Sequence, residues 1–193
     1  MDEKKNFRKI NEKEKKIIFA SLKYLSPNPS PILKKIEENL FIALRKITSK
    51  ERVLKMFLIF DDLKKILTNV NFITNPCSAG IYFGFIKKGR FLISLEGAEY
   101  LYKQEKSIEF HQLKLNQAGE KSILYGNHIS KNMILQIISQ FNVNDLLLLF
   151  NSNKEFIAIA QARVDSESIQ NLRPKEIIAL NIIDKGYYLR KEQ

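Results

Sequence analysis

Short strand-like segments, separated by turn residues, fill the C-terminal part of the sequence. They are rich in apolar and β-branched residues and run over residues 110–115, 146–150, 156–162, 177–182 and 187–190. The turn-forming runs Asn151-Ser152-Asn153 and Asp184-Lys185-Gly186 separate some of them. Strands this short at this spacing predict a small β-barrel. Between the first two segments, the isoleucine spacing over residues 130–140 predicts a helix.

The N-terminal half has a different pattern, which predicts helices and an antiparallel sheet. Asn11 and Glu14 have the spacing of a capping box, so a helix is expected over residues 12–25. Further helices are predicted over residues 31–38, 63–68 and 95–102, and strands over residues 40–44, 53–60, 81–86 and 91–94. The whole chain is therefore expected to be α+β. The polar stretch 103–109 places the domain boundary between residues 1–109 and 110–193.

Charge is unevenly distributed along the 193 residues, whose formal net charge is +11. Residues 1–109 carry 22 lysines and arginines against 13 acidic residues, whereas residues 110–193 carry 10 against 8. A basic chain attracts polyanions through counterion release, and nucleic acid is a common partner of this kind. Abundant lysine, isoleucine and asparagine are equally typical of AT-rich coding, so charge alone leaves both readings open.

Several other classes of protein are disfavoured by the residues. No apolar run approaches the ~20 residues that span a bilayer, and the charged first 16 residues do not resemble a signal peptide. The single cysteine, Cys77, excludes an internal disulfide and suits a reducing compartment. A pairing of Cys77 with His111 or His128 has only residue type in its favour. No glycine-rich phosphate loop or metal-ligand spacing is present, so we expect neither an enzyme nor a cofactor.

Two motifs carry a specific resemblance. The segment from Ile123 to Ile129 reads Ile-Leu-Tyr-Gly-Asn-His-Ile, and Asp184, Gly186, Tyr188 and Arg190 stand at alternate positions near the C-terminus. Together with Arg173-Pro174, this order and spacing resembles the large-subunit ribosome biogenesis factors of the nuclear-import-protein-seven family. Weaker agreement comes from Gly80, Phe83 and Gly84, and from Ala98, Tyr100 and Leu101.

The resemblance implies a pre-PUA domain over residues 1–109 and a C-terminal PUA domain, an RNA-binding β-barrel, over residues 110–193. It implies a non-catalytic assembly factor for the large ribosomal subunit that acts in the processing of precursor ribosomal RNA. It further implies binding of single-stranded, uridine-rich RNA through the PUA domain. Implied partners are pre-ribosomal RNA, other ribosome biogenesis proteins and exosome subunits, without DNA or a membrane.

The sequence departs from the family pattern at two places in the implied PUA domain. Where family members carry a basic cluster, this chain has Arg163 followed by an acidic and neutral stretch. A loop that holds glycine in many PUA domains reads Lys131-Asn132-Met133 here. The thinner charge leaves open whether the PUA domain or the more basic N-terminal half dominates the affinity for RNA.

Eight basic residues are the candidate RNA contacts, since lysine and arginine bind phosphates and arginine also stacks on unpaired bases. They are Arg163, Arg173, Lys175, Arg190, Lys131, Lys87, Lys88 and Arg90. The alternative is an ordinary solvated barrel edge or turn, with Arg190 paired to Asp184.

Other polar and aromatic residues are given structural roles. Asn127 and His128 are expected to open a helix, and Tyr125 to lie in the core. Among the aromatic residues of the first hairpin, alternation leaves Tyr82 outward and available for base stacking. The lysines of the first helix are read as an ordinary exposed face.

Two further functions remain open: an RNA-presenting subunit of an RNA-modifying enzyme, and a protein adaptor that regulates the RNA exosome. The family implies the nucleus and nucleolus in a cell with a nucleus. The missing signal peptide and the coding bias are equally compatible with a prokaryotic cytoplasm, and an archaeal cytoplasm is the favoured location.

Overall fold

A computed structural model describes residues 7–43, 53–69, 78–104 and 108–191. The chain divides into two compact units. The N-terminal unit comprises Met1–Lys23 and Asn28–Gln104, and the C-terminal unit comprises Tyr24–Pro27 and Glu105–Gln193. The longer segment of the C-terminal unit begins at Glu105, and the short segment Tyr24–Pro27 from the N-terminal half also belongs to this unit.

The N-terminal unit is a five-stranded antiparallel sheet with four helices, counted over the described residues. Its elements are β1 (Phe7–Lys9), α1 (Glu12–Leu22), α2 (Ser30–Ile36), β2 (Leu40–Ala43), β3 (Leu54–Leu58), α3 (Asp61–Asn69), β4 (Ile81–Lys87), β5 (Arg90–Ile93) and α4 (Leu95–Gln104). The strands lie in chain order across the sheet. Strand β1 is the one element of this list for which the sequence pattern gave no prediction.

The predicted capping box opens α1. The Asn11 side chain accepts a hydrogen bond from the Glu14 amide at 2.9 Å, and the Glu14 carboxylate accepts one from the Asn11 amide at 2.8 Å. Arg8 of β1 binds the same carboxylate at 2.5 and 2.8 Å, which ties the first strand to the helix. The buried side of α1 is formed by Glu14, Ile18 and Leu22.

The C-terminal unit is a nearly closed barrel. Its elements are β6 (Gln112–Leu115), α5 (Gln117–Leu124), β7 (Ile129–Ser130), β8 (Ile134–Ile137), β9 (Leu146–Phe150), β10 (Phe156–Ala162), β11 (Ile177–Asp184) and α6 (Gly186–Lys191). The strand order is β7-β11-β10-β9-β6-β8. All neighbouring strands are antiparallel except β6 and β9. The predicted α+β class and C-terminal barrel are therefore confirmed.

Three local predictions in this unit are wrong. Residues 130–140 form β7, a 3-10 turn over Lys131–Met133 and β8 instead of a helix. Isoleucine-rich runs fit either period, and pairing with β6 selects the strand, which suits β-branched residues. Residues 187–190 lie in α6 instead of a strand.

The third wrong prediction concerns the segment around Gly126. Helix α5 was missed, although the Asn116 side chain caps it by accepting from the Gly119 amide at 2.9 Å. As a result Asn127 and His128 follow a helix instead of opening one. Tyr125 is 68% exposed and is not part of the core.

Candidate nucleic-acid interface

Arg163 directly follows β10, at the end where that strand lies beside the beginning of β11. Its amide donates to the Ile178 carbonyl at 2.8 Å, which continues the ladder between the two strands. The preceding Ala162 is buried in the barrel, so the Arg163 side chain points outward and is exposed. Among the residues that the structure describes, this guanidinium has no hydrogen-bond or ion-pair partner. It is therefore available to a ligand without the loss of an internal contact.

Lys131 reaches the same end of β11 from the other side. Its amide donates to the Glu176 carbonyl at 3.0 Å, just before β11 begins. Its ammonium group donates to the carbonyl oxygens of Gln170 and Leu172, each at 2.6 Å. Lys131 therefore satisfies carbonyls at the end of a 3-10 turn over Ser168–Asn171, and its first role is structural.

Arg173 and Lys175 lie in the loop that leads into β11, and both are exposed. The Arg173 Nε donates to the Glu176 carboxylate at 2.6 Å. This hydrogen bond raises the pKa of Arg173 and lowers the pKa of Glu176. Because the pair is solvated, a phosphate can exchange with the carboxylate at little cost. Lys175 makes no side-chain hydrogen bond or ion pair within the described part of the chain.

Four of the predicted residues thus meet at one place, which we call the cationic end of β11. It consists of Lys131, Arg163, Arg173 and Lys175. The strand places them there because β7 and β10 flank β11 on either side. Acidic residues are close in sequence, but the Asp165 carboxylate is occupied by the amide and hydroxyl of Ser168, both at 2.8 Å. Those hydrogen bonds lower the pKa of Asp165.

Arg190 lies at the opposite end of β11 and is engaged within the unit. Its guanidinium binds both oxygens of the buried Asp184 carboxylate and the Leu124 carbonyl. The hydrogen bond to Asp184 raises the pKa of Arg190. The anticipated pairing of Arg190 with Asp184 is confirmed, and this contact argues against a direct role in RNA binding.

The two sequence motifs meet at this junction. Asn181 donates its amide to His128 Nδ1 at 3.2 Å and its side-chain nitrogen to the Ile123 carbonyl at 3.3 Å. Gly186 approaches so closely that an added Cβ would lie 2.0 Å from the Leu124 oxygen. The motif residues therefore join α5, β11 and α6, which is a structural role.

Exposed tyrosines surround this junction and were not selected by sequence reasoning. Tyr125 follows α5, while Tyr187 and Tyr188 open α6 with their ring centroids 5.8 Å apart. All three are exposed. Rings of this kind can stack on unpaired bases. The sequence signal for these exposed rings was Gly126, which directly follows Tyr125. Its φ of +88° shows that the chain turns here in a conformation that favours glycine.

The remaining predicted contacts, Lys87, Lys88 and Arg90, lie at the tip of the hairpin between β4 and β5 in the N-terminal unit. Lys88 and Gly89 have φ of +48° and +73°, as a type I′ turn requires. Lys87 and Arg90 are directly opposite each other in the register, where like charges repel. Asparagine adopts a left-handed conformation more readily than lysine does. This tip therefore concentrates positive charge against local preference, as functional sites often do.

Tyr82, the predicted stacking residue of this hairpin, does not fit that role. Its ring is half-buried and lies 5.5 Å from the ring of Phe57, measured between centroids. Burial, together with the nearby Glu96, raises the pKa of Tyr82 to about 12. Gly84, with φ of +146°, and a register shift between Met56 and Phe57 disturb the alternation on which the prediction depended.

A groove of about 760 Å³ in the C-terminal unit is unsuited to phosphate. Its lining includes the carboxylates of Glu109, Asp165 and Glu167 and the buried His111. Cys77, considered with His111 as a reactive pair, lies outside the described residues. None of the described helices is long and apolar enough to cross a membrane.

Comparison with known proteins agrees with this architecture. Residues 111–193 match the family model described as the UPF0113 PUA domain. A UPF0113 protein of Archaeoglobus fulgidus is 29% identical over 119 residues, which cover 62% of this chain and 65% of that protein. The 60S ribosome subunit biogenesis protein NIP7 of Saccharomyces cerevisiae is 27% identical, covering 96% of this chain and 97% of the relative.

A solved structure shows the same fold. It is described as a conserved PUA domain protein from Thermoplasma acidophilum and has a TM-score of 0.59 at 16% identity, covering 96% of this chain and 98% of that one. The class is therefore that of two-unit proteins in which an α+β unit precedes a PUA barrel. Within this class, the chain carries a UPF0113 PUA domain over residues 111–193 and is similar over 96% of its length to 60S ribosome subunit biogenesis proteins named NIP7.

Proposed function

We propose that this protein is a non-catalytic RNA-binding assembly factor for the large ribosomal subunit. The observation that carries the proposal is the cationic end of β11, where Arg163 and Lys175 are exposed without a partner among the described residues. The names of the relatives, which concern biogenesis of the 60S subunit, support the cellular process. The PUA fold supports RNA as the ligand.

The chemistry of the C-terminal unit favours a single strand. Arg163 and Lys175 position the phosphate backbone, and the Arg163 guanidinium can also stack on a base. Tyr125 and Tyr188 offer exposed rings near the opposite end of β11. This strand has eight residues, so its ends are about 23 Å apart at ~3.3 Å per residue. A single-stranded RNA segment of a few nucleotides would reach from the phosphate contacts at one end of β11 to the tyrosine rings at the other. A duplex could not stack on these rings, because its bases are paired and stacked on each other.

The eight predicted contacts enter this proposal with different roles. Arg163, Lys175, Lys87, Lys88 and Arg90 are proposed to contact phosphates directly. Arg173 is proposed to exchange Glu176 for a phosphate. Lys131 and Arg190 are proposed to shape the site, because their side chains hold carbonyls and a buried carboxylate.

A charge reversal at Arg163 tests the proposal. Fluorescence anisotropy would measure binding of uridine-rich single-stranded RNA and of a duplex control to the full chain. Arg163→Glu is expected to weaken single-strand binding about tenfold, since a phosphate contact is replaced by repulsion. Lys55→Glu is the matched control, because Lys55 is exposed on β3 and is assigned no RNA contact.

Equal affinities of the two variants would contradict the assignment of RNA to the cationic end of β11. Absence of RNA binding by the wild-type chain would contradict the proposed function itself. A preference for uridine-rich sequence is part of the proposal, and a second single strand without uridine tests it in the same assay.

Two other functions rest on the same surfaces. As the RNA-presenting subunit of a modifying enzyme, the protein would support activity only after a second protein is added. As an adaptor of the exosome, it would keep its partner after ribonuclease treatment. Pre-ribosomal RNA and other biogenesis proteins are the proposed partners, and exosome subunits remain a prediction. The proposed location is the cytoplasm in an archaeon, or the nucleus and nucleolus in a cell with a nucleus.

A further inference from the structure

We infer that the solvent face of α1 is a second RNA-binding surface, which contacts phosphates without regard to base sequence. This inference rests on the proposed function and adds residues that the sequence reading left as an ordinary exposed face. Three observations on the N-terminal unit carry it: the arrangement of the lysines, the engagement of the neighbouring acids, and the position of α1 beside the basic hairpin.

The lysines form a single stripe. Lys13, Lys16 and Lys23 are spaced by three and seven residues and are all exposed. Ala20 fills the remaining position of this face. The stripe lies on the side of the helix opposite the buried Glu14, Ile18 and Leu22. From Lys13 to Lys23 it extends about 15 Å at 1.5 Å per residue. A long line of like charge fits a linear polyanion better than a small anion.

Two acids close to the stripe, Glu14 and Glu37, are already bound to other cations, whereas the exposed Glu12, one turn before Lys16, has no ion-pair partner among the described residues. The Glu14 carboxylate is held by Arg8, with an N–O distance of 2.5 Å. Glu37 binds Lys15 at 2.7 Å on a neighbouring side of the helix. Lys13 and Lys16 have no ion-pair partner among the described residues, and Lys23 contacts the Phe19 ring at 5.4 Å from its centroid. The three lysines of the stripe therefore have only the Glu12 carboxylate nearby, among the described residues of α1, to offset them, which leaves the stripe net positive.

A hydrogen bond fixes α1 beside the hairpin. The Phe91 amide, next to Arg90, donates to the Ser21 hydroxyl of α1 at 3.2 Å. The basic tip at Lys88 and Arg90 and the lysine stripe consequently belong to adjoining parts of one unit. An RNA strand that contacts the tip can continue onto the helix.

The side chains select phosphates instead of bases. Lysine presents a flexible point charge and does not form the planar, two-point contacts by which arginine recognises base edges. The ring of Phe19 is half-buried beneath Lys23 and offers no open stacking face. Binding at this surface is thus expected to depend on salt but not on sequence.

The test compares two triple variants of the full chain that lose the same charge. Lys13→Gln, Lys16→Gln and Lys23→Gln remove the stripe. The control set, Lys55→Gln, Lys65→Gln and Lys103→Gln, removes exposed lysines of β3, α3 and α4 in the same unit. Anisotropy with two unrelated single-stranded RNAs across a salt series gives the slope of log K against log salt. Circular dichroism confirms that both variants are folded.

The stripe variant is expected to lose about two units of slope, since each phosphate contact with a single strand contributes ~0.7. This change corresponds to a loss of affinity of up to ~100-fold near 0.1 M salt, equal for both RNAs. The control set should retain the wild-type slope. Equal slopes for both variants would overturn the inference, as would a loss confined to one RNA.

Two further outcomes separate this inference from the proposed function. If Arg163→Glu weakens binding while the stripe variant matches its control, the second surface is wrong and the proposed function stands. If the stripe variant keeps the wild-type affinity for RNA but no longer binds polyglutamate, the stripe serves an acidic protein and the inference is overturned.

Discussion

Arg190 holds the buried Asp184 through two parallel hydrogen bonds, from Nη1 to Oδ1 at 3.0 Å and from Nη2 to Oδ2 at 2.9 Å. The same guanidinium donates to the Leu124 carbonyl, so one side chain joins the ends of α5, β11 and α6. Asp184 is 2% exposed and has Asn181 as a second donor at 2.8 Å. A carboxylate so placed needs its partners, because an unpaired buried charge is strongly unfavourable.

Substitutions at this pair are expected to reduce stability instead of RNA affinity. Asp184→Asn should lower the free energy of unfolding by about 1.5–3 kcal/mol, the range for hydrogen bonds to charged groups. Arg190→Leu should destabilise the wild-type protein more than it destabilises the Asp184→Asn variant. Only in the wild-type protein does the substitution leave the buried Asp184 carboxylate unpaired. Denaturant titrations measure both effects. If the Arg190→Leu protein is folded but binds RNA more weakly than the wild type, Arg190 contacts RNA directly and this prediction is wrong.

Gly186 is expected to be intolerant of any side chain. A Cβ there would meet the Leu124 carbonyl oxygen at 2.0 Å and Arg190 Nη1 at 2.8 Å. Gly186→Ala should therefore cost about 2–3 kcal/mol of unfolding free energy, because backbone has to move. Gly89→Ala provides the control, since Gly89 has a positive φ but open space around its Cβ position. Its cost should be only the ~1 kcal/mol of a left-handed alanine. Equal costs for the two variants would refute this explanation.

The sequence predicts the fold better than it predicts the site. The capping box of α1 and the hairpin of β4 and β5 were predictable because local rules determine them. Residues 130–137 were not, since pairing with β6 and β11 overrides a helical spacing. The motif ending in Arg190 pointed correctly to the family, but its residues join elements of the barrel. Whether a basic side chain is available, as at Arg163, or engaged, as at Lys131, depends on distant carbonyls that the sequence does not reveal.

Glu14 should make the stability of the N-terminal unit depend on pH. Burial opposes ionisation of Glu14, but hydrogen bonds from Arg8 and the Asn11 amide outweigh it and hold the pKa below its usual value. A carboxyl with a lowered pKa stabilises the fold above its unfolded pKa of about 4.3. This stabilisation is lost as pH falls through the lower pKa of the folded state.

The matched variant is Glu14→Gln, which keeps part of the cap but loses the ion pair. It should lower the free energy of unfolding by about 1 kcal/mol at pH 7. Between pH 5 and 3, its stability should fall less steeply than that of the wild type. Urea titrations over this range measure the two curves. Parallel curves would show that Glu14 does not contribute to the acid sensitivity of the fold.

Lys88 is expected to exchange stability for binding. It occupies the first central position of a type I′ turn with φ of +48°, where asparagine before glycine is strongly preferred. Lys88→Asn should therefore raise the free energy of unfolding by up to ~1 kcal/mol, because it relieves left-handed strain and the repulsion among Lys87, Lys88 and Arg90. The same change should weaken RNA binding and reduce its dependence on salt by about one phosphate contact.

Denaturant titration and anisotropy on one preparation give both quantities, with Lys154→Asn as control at another lysine of positive φ. A Lys88→Asn protein that is more stable and binds RNA with unchanged affinity would show that the hairpin tip is only a solvated turn.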